Sequence, residues 1–225
     1  MENTTNFQPY RCVLTGGTAE ITEKKSRFIA TVRRTESEEE AVRFIEEMKK
    51  KYWDASHNCS AFVIGRRGQL TRCSDDGEPS GTAGRPMLDV ILGEDIYNVA
   101  VVVTRYFGGV LLGTGGLVRA YSKAVQEGFR ESRIIEKKHG ICLTVTTDYT
   151  GIGKIQYIAG ERGIPVLGSE YTDKVIMKLL IPSEDVENVQ KAVTEGTNGR
   201  AIMEKEKELY FATVDGQVLT FETES

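Results

Sequence analysis

The chain lacks any long apolar run, which excludes an ordinary membrane-spanning protein. None of its hydrophobic stretches, in 225 residues, approaches the ~20 residues that a membrane-spanning helix needs. Its first ten residues also lack the basic start and the apolar segment of a secretory signal peptide. We therefore expect a cytoplasmic protein without a membrane partner.

Histidine and cysteine are scarce. The chain has two histidines, His57 and His139, and four cysteines without a CxxC pair. This pattern argues against a structural zinc site and a redox dithiol, and we expect no metal and no cofactor. A Gly-x-Ser-x-Gly elbow is also absent, so a serine hydrolase triad is disfavoured.

Charge is unevenly distributed along the chain. The net charge is −4, but residues 1–135 carry a net +1 and residues 136–225 a net −5. We therefore expect an anionic partner to meet the N-terminal part of the chain.

Residues 1–136 predict an N-terminal α+β domain. A capping box opens a helix at Ser37, and alternating apolar residues indicate strands around it. The expected elements are a hairpin in 17–35, a helix in 37–51, strands at 59–65 and 69–73, a short helix at 86–92, a strand from 99 and a helix at 117–133.

The pattern restarts after the polar stretch 136–140, which predicts a domain boundary between residues 136 and 137. From residue 141 to residue 211 the order is strand, helix, strand, strand, helix, strand. This βαββαβ order is typical of a ferredoxin-like domain, which we expect over residues 137–225.

A glycine-rich turn between the strand at 99 and the helix at 117 is the strongest candidate site. Glycines let backbone N–H groups approach a ligand, and a helix N-terminus attracts anions. The spacing fails the Walker A pattern, because Thr114 and Gly115 stand where Lys and Ser/Thr belong, and it also lacks the last glycine of the dinucleotide fingerprint. The alternative is tight packing of strand against helix. The candidate residues are Gly108, Gly109, Gly113, Thr114, Gly115 and Gly116.

Positively charged side chains lie on both sides of this turn in the sequence. At helical spacing Arg119, Lys123 and Arg130 share one face of the following helix, opposite an apolar face. Arg105 and Tyr106, just before the turn, could hold a phosphate and stack on a base. The alternatives are a solvated helix face, a core tyrosine and a carbonyl-capping arginine.

A second candidate site is an acid-base cluster in polar loops, formed by His57, Asp75, Asp76, Glu78 and Arg85. Loops after strands often carry chemistry, and histidine titrates near neutral pH. The same loop residues are also good turn formers, so a structural role is the alternative.

Three long motifs, Trp53–Cys59, Ser74–Gly84 and Arg105–Gly113, resemble the IMPACT/YigZ family in the same order. The resemblance implies an N-terminal domain similar to domain 2 of ribosomal protein S5 and domain IV of elongation factor G. It also implies a C-terminal domain similar to domain V of elongation factor G. The eukaryotic family member regulates translation by restraining activation of a starvation-sensing kinase, and it carries an additional N-terminal protein-binding domain. We do not transfer the kinase-regulating role to this chain. The resemblance supplies no catalytic residues.

Three functions remain open from the sequence. The first is a non-catalytic translation regulator that binds RNA or the ribosome. The second is an enzyme that acts on a phosphorylated or anionic small molecule at the turn and the polar loops. The third is a module that binds a protein partner through apolar surface on the C-terminal sheet.

Overall fold

A computed structural model describes residues 8–222. The chain divides into two compact units, Tyr10–Glu136 and the residues from Lys137 onward. Both units combine helices with antiparallel sheet, so the fold is α+β.

The N-terminal unit is built on a five-stranded antiparallel sheet. Its strand order is β2-β3-β7-β4-β5, and β1 pairs separately with β6 in parallel. The elements are β1 (Tyr10–Thr15), β2 (Thr18–Glu23), β3 (Ser26–Arg34), α1 (Glu38–Lys51), β4 (His57–Ile64), β5 (Leu70–Ser74), α2 (Gly84–Gly93), β6 (Ile96–Tyr97), β7 (Val99–Tyr106), α3 (Thr114–Arg130) and the start of β8 (Arg133–Thr147).

Helices cover both faces of this sheet. Strand β7 lies at its centre, and Val99 to Val103 are fully buried, as expected for a continuous β-branched run between two layers. Helices α2 and α3 pack on one face, with Phe28 and Tyr121 in the core. Helix α1 packs on the other face through Phe44.

Local sequence explains where α1 begins. Ser37 Oγ accepts the backbone N–H of Glu40 at 3.2 Å, and the Glu40 carboxylate accepts the N–H of Glu36 at 2.8 Å. Acidic residues fill its first turn and lysines fill its last turn, which suits the helix dipole.

The C-terminal unit is a second antiparallel sheet with two helices. Its strand order is β12-β11-β8-β10-β9. The core lies between the sheet and the helices and includes Leu143, Ile155 and Val189. The elements are α4 (Ile152–Glu161), β9 (Val166–Tyr171), β10 (Val175–Pro182), α5 (Val186–Gly196), β11 (Ile202–Val214) and β12 (Gln217–Glu222), with a single 3-10 turn at Ser183–Asp185. Without β12, the order β11-β8-β10-β9 is that of the split βαβ arrangement.

The structure corrects several sequence-based boundaries. The polar stretch 136–140 is strand rather than linker, because β8 runs unbroken from Arg133 to Thr147. Polar side chains point inward there: Lys137 and His139 are buried, with Lys137 Nζ 4.1 Å from the Phe221 ring centroid. Because polar residues occupy buried positions, this part of β8 lacks the alternation of apolar and polar residues that predicts a strand.

The other differences concern short or terminal elements. Helix α3 begins at Thr114 and ends at Arg130, three residues earlier at each end than expected. The sequence analysis did not predict β1, β6 or β12. The two residues of β6 are too few to show a period, and β12 has no fully buried position.

Candidate functional site

A buried ion pair lies where β7 ends. The Arg105 side chain is 6% exposed, and its Nη1 donates to Oε1 of Glu78 at 2.6 Å. Its Nη2 donates to Ser26 Oγ at 3.3 Å, and the rings of Phe28 and Phe107 lie 5.4 and 5.5 Å from the guanidinium. Arg105 is therefore an internal residue of the site, held by a carboxylate and a hydroxyl.

Glu78 joins the polar loop to three elements. Its Oε1 also accepts the hydroxyl hydrogen of Tyr121, on α3, at 2.7 Å. Its Oε2 lies 3.8 Å from Nε2 of His57, at the start of β4. The Glu78 side chain is 3% exposed, so this carboxylate is almost fully enclosed by its partners.

Two protic groups of this network are poor acids. Burial raises the pKa of the Cys59 thiol to about 12, and the carboxylate of Glu78 adds to the effect. The pKa of the Tyr121 hydroxyl is also raised, mainly by burial and secondly by the nearby Cys59. Cys59 Sγ lies 2.9 Å from the carbonyl oxygen of Asp75 and 3.3 Å from the Tyr121 hydroxyl. Both groups therefore act as neutral hydrogen-bonding partners.

His57 is oriented by a backbone carbonyl. Its Nδ1 lies 2.9 Å from the carbonyl oxygen of Asp76, and a carbonyl only accepts hydrogen bonds. The neutral imidazole therefore carries its hydrogen on Nδ1, and Nε2, without a hydrogen, faces Glu78.

Asp75 holds the loop and the start of α2. Its carboxylate accepts the backbone N–H groups of Gly81, Ala83 and Gly84 at 2.8, 3.0 and 2.8 Å. Burial opposes ionisation, but these three hydrogen bonds outweigh it and lower the pKa of Asp75. Asp75 thus caps a helix that has no capping side chain at its own N-cap.

Asp76 also stabilises the structure around the pocket. Its carboxylate accepts Lys49 Nζ at 2.5 Å and the N–H of Asn58 at 2.7 Å. Burial works in the opposite direction, yet the contact with Lys49 and that with Asn58 lower the pKa of Asp76. Arg85 lies apart from this network, on the exposed side of α2, and pairs with Asp89. Of the five predicted loop residues, the structure brings His57 and Glu78 together.

The residues after Arg105 form an exposed loop. The hydroxyl of Tyr106 donates to Asp54 Oδ1 at 2.8 Å, and this hydrogen bond raises the pKa of Tyr106. A Cβ at Gly108 would lie 2.1 Å from the Lys25 carbonyl, so this position needs glycine to let two backbones meet. Gly109 has a φ of +79° in open space. The side chains of Phe107 and Leu111 are exposed.

Helix α3 begins without an acidic or capping side chain. Its N-cap is Gly113, with φ +75°, and its first turn consists of Thr114, Gly115 and Gly116 followed by Leu117. The first helical hydrogen bond runs from the N–H of Leu117 to the carbonyl of Gly113 at 3.0 Å. The N–H groups of the three residues before Leu117 precede that bond and point out of the helix end.

The predicted basic face of α3 is exposed. Arg119 and Lys123 lie one turn apart on it. The guanidinium of Arg119 folds back over the first turn, since its Nη1 is 3.5 Å from the place of a Cβ on Gly115. Arg130 pairs with Glu127 at 2.6 Å, which reduces the positive field at the far end of the helix.

A pocket of about 440 Å³ connects the two candidate sites. Its polar lining includes His57, Glu78 and Arg105, and the start of α3 closes it with Gly113 and Thr114. Its apolar wall consists of Pro79, Phe107, Leu111, Leu112 and Leu117. The volume lies in the range of small-molecule sites, and the lining combines apolar walls with a few polar groups.

The sequence analysis missed Tyr121 and Ser26 as members of this network. Tyr121 lies on the apolar face of α3, with its ring edge-on to Phe28 at 5.2 Å. The available signal was chemical: a buried tyrosine hydroxyl and an arginine in an apolar strand both require an acceptor. Within residues 8–222, the side chains of His, Cys, Asp and Glu form no group that could hold a metal ion.

Comparison with known proteins identifies the family of the chain. Residues 24–129 match the Impact N-terminal domain and residues 145–200 match a domain of unknown function, DUF1949. A protein of Bacillus subtilis named IMPACT family member YvyE is 41% identical over 202 residues, covering 90% of this chain and 93% of that protein. The chain belongs to the IMPACT family.

Other relatives support this membership. IMPACT family member YigZ of Escherichia coli is 35% identical over 178 residues, covering 78% of this chain and 87% of that protein. Protein IMPACT of Danio rerio is 32% identical over 129 residues, which cover 53% of this family member and 40% of the fish protein. A crystal structure titled as that of a hypothetical protein has a TM-score of 0.57 at 31% identity and covers 89% of this chain and 98% of its own. No helix in the described part of this family member has the length and apolarity to span a bilayer.

Proposed function

We propose that this IMPACT family member binds RNA, free or within the ribosome, and modulates translation without catalysing a reaction. The binding surface, which we term the α3 face, consists of the loop 106–112, the N-terminus of α3 and the exposed cations Arg119, Lys123 and Arg130. The observation that carries the proposal is the exposure of Arg119 and Lys123 one turn apart, directly after a glycine loop and an uncapped helix start.

Charge and shape both support phosphate contact at this face. Between residues 106 and 135 the sequence has four Lys or Arg and two Glu, whereas the whole chain is acidic. Helix N-termini and arginines are common ligands of the nucleic-acid backbone. The half-exposed ring of Phe107 adds a surface on which an unpaired base can stack.

The fold adds support by analogy. We propose that the two units are domains, 1–136 and 137–225, with N-terminal similarity to ribosomal protein S5 domain 2 and elongation factor G domain IV. The C-terminal domain then corresponds to elongation factor G domain V, a comparison supported by its βαββαβ strand order. Fold analogy is an associational argument, so the charged surface carries the proposal.

The test compares charge reversal on two faces of one sheet. The double variant Arg119→Glu and Lys123→Glu changes the α3 face. Its control, Arg43→Glu and Lys50→Glu, makes the same change in net charge on α1, which packs on the opposite sheet face.

Binding is measured by fluorescence anisotropy with a labelled 20-nucleotide RNA and by co-sedimentation with purified ribosomes, both in a series of salt concentrations that starts at 50 mM. We expect the α3 variant to lose at least tenfold in affinity and to show a shallower salt dependence, because fewer counterions are released. The α1 variant should bind like the unaltered protein. Absence of RNA and ribosome binding at low salt, or equal losses in both variants, would overturn the proposal.

A further inference from the structure

The pocket beside α3 has features of a ligand site that RNA contact at the surface does not require. It has a volume of about 440 Å³, several times the space of a phosphate ion. An RNA backbone crossing the exposed loop would meet Arg119 and Lys123, neither of which lines this cavity. A second role for the same end of the unit therefore shares the start of α3 with RNA contact and adds His57 and the buried residues Glu78 and Arg105.

The residues that line this pocket have unused hydrogen-bonding capacity. Arg105 is 5% exposed, yet its Nε is buried without a hydrogen-bond partner in the described part of the chain. The start of α3 adds N–H groups that precede its first helical bond, and no acidic residue neutralises this end. A buried donor without a partner destabilises the fold, so an occupant that accepts its hydrogen bond would remove that penalty.

The polar lining selects an acceptor with negative charge. The buried pair of Arg105 and Glu78 is neutral as a unit, and the electropositive feature that remains is the N-terminus of α3. Gly113 has open space at the place of a Cβ, and Gly115 and Gly116 add no side chain of their own to the helix end, which allows close approach of a tetrahedral anion.

The apolar lining selects the rest of the ligand. Leu112 and Leu117 are buried beside the pocket, whereas Leu111 is 82% exposed at the pocket, an unfavourable position for a leucine in water. A ligand with an apolar or aromatic body would cover this wall while its charged group meets α3.

We propose that the pocket binds a small phosphate monoester with an apolar or aromatic body. The phosphate accepts hydrogen bonds from the first turn of α3 and from Arg105, and the body packs on Leu112 and Leu117. The terminal phosphate of an RNA strand and that of a free metabolite share this chemistry.

The probe is phenyl phosphate, titrated into the full ¹⁵N-labelled chain and followed by NMR. We expect saturable shifts of the amides of Thr114, Gly115 and Gly116, with nuclear Overhauser contacts from the phenyl ring to the methyl groups of Leu112 and Leu117. The amide of Gly84 is the internal control, because Asp75 already occupies the start of α2.

Two variants separate the site from general charge effects. Thr114→Asp places a carboxylate in the first turn of α3, where it favours the helix and competes with an anion. We expect it to fold and to bind phenyl phosphate at least tenfold more weakly. Gln126→Glu makes the same change in charge 12 residues along the same exposed helix, about 18 Å away, and should bind within twofold of the unaltered protein.

Competition identifies the source of the phosphate. Displacement of phenyl phosphate by a 5′-phosphorylated RNA, but not by its 5′-hydroxyl form, would assign the pocket to RNA ends, and displacement by neither would assign it to a free monoester. The proposal is overturned by non-saturable shifts, by shifts at α3 without contacts to the leucines, or by equal affinity of Thr114→Asp. Lys123 lies beyond the first turn of α3 and does not line the pocket, so Lys123→Glu should still bind phenyl phosphate even where RNA binding fails.

Discussion

Removing one member of the buried pair tests the core of the site. Glu78→Met leaves the guanidinium of Arg105, 5% exposed, without its carboxylate partner at 2.6 Å. Arg105→Met leaves the carboxylate of Glu78 with the hydroxyl of Tyr121 as its remaining close partner. A buried charge that loses its partner costs about 3–5 kcal/mol, so we expect each single variant to destabilise the N-terminal unit by this amount.

The double variant should cost much less than the sum of the two single variants. Both charges are then absent, and two methionines fill similar volume with flexible apolar side chains. The remaining loss is the hydrogen bond of the Tyr121 hydroxyl, about 1–3 kcal/mol. We therefore expect an interaction energy of at least about 3 kcal/mol in the double-mutant cycle.

Hydrogen exchange of the β7 amides is the suitable assay, because it reports the opening of the N-terminal unit without assuming that both units unfold together. The control is a second cycle on Arg72 and Glu38, a pair at 2.6 Å whose side chains are 61% and 38% exposed. Such a surface pair is worth about 0–1 kcal/mol. An interaction energy for Arg105 and Glu78 no larger than that of the surface pair would refute the reasoning.

Three further predictions concern the surroundings of the site. Asp75→Asn should lower the free energy of unfolding by about 1–2 kcal/mol at pH 7, as for loss of a helix cap. Because the pKa of Asp75 is lowered in the fold, the deficit of the variant should be complete above the ordinary pKa of 3.8 and disappear as the pH falls through the folded value, measured by denaturant unfolding at several pH values. Iodoacetamide at pH 8 should modify the exposed thiol of Cys73 in the native protein and leave Cys59 unmodified, as read by mass spectrometry, because Cys59 is buried with a pKa of about 12. Gly108→Ala should destabilise the protein more than Gly109→Ala in thermal unfolding, since the first Cβ would overlap a backbone carbonyl at 2.1 Å and the second meets open space.

The sequence predicts secondary structure correctly where the apolar residues of a segment follow one pattern, that of a helix or that of a strand. The apolar run 99–103, the amphipathic pattern of α1 and the alternation of β10 each follow one period, and all three form the expected elements. Prediction failed at β8, because buried Lys137 and His139 are held by contacts with Phe221 and Ser183 that lie far away in the chain. No local pattern contains those partners.

The candidate site shows the same limit. Motif reasoning selected Arg105, Glu78 and His57 as separate residues of two candidate sites, but only the fold brings them to one pocket. Asp75 and Asp76 were equally plausible from the sequence, and their partners are backbone N–H groups and a lysine of α1. Whether an aspartate in a polar loop serves a ligand or the scaffold depends on tertiary hydrogen bonds that spacing does not specify.

The glycines of the turn divide according to what a side chain would meet. Gly108 serves packing, since its backbone meets the carbonyl of Lys25. Gly113 has nothing within 4 Å of an added Cβ, yet its φ of +75° aims the chain into α3 and places the helix start at the pocket. A packing role for the whole turn would predict close neighbours at every glycine. The open space at Gly109 and Gly113 instead leaves room beside the backbone, which both the proposed RNA contact and the proposed binding of a phosphate monoester require.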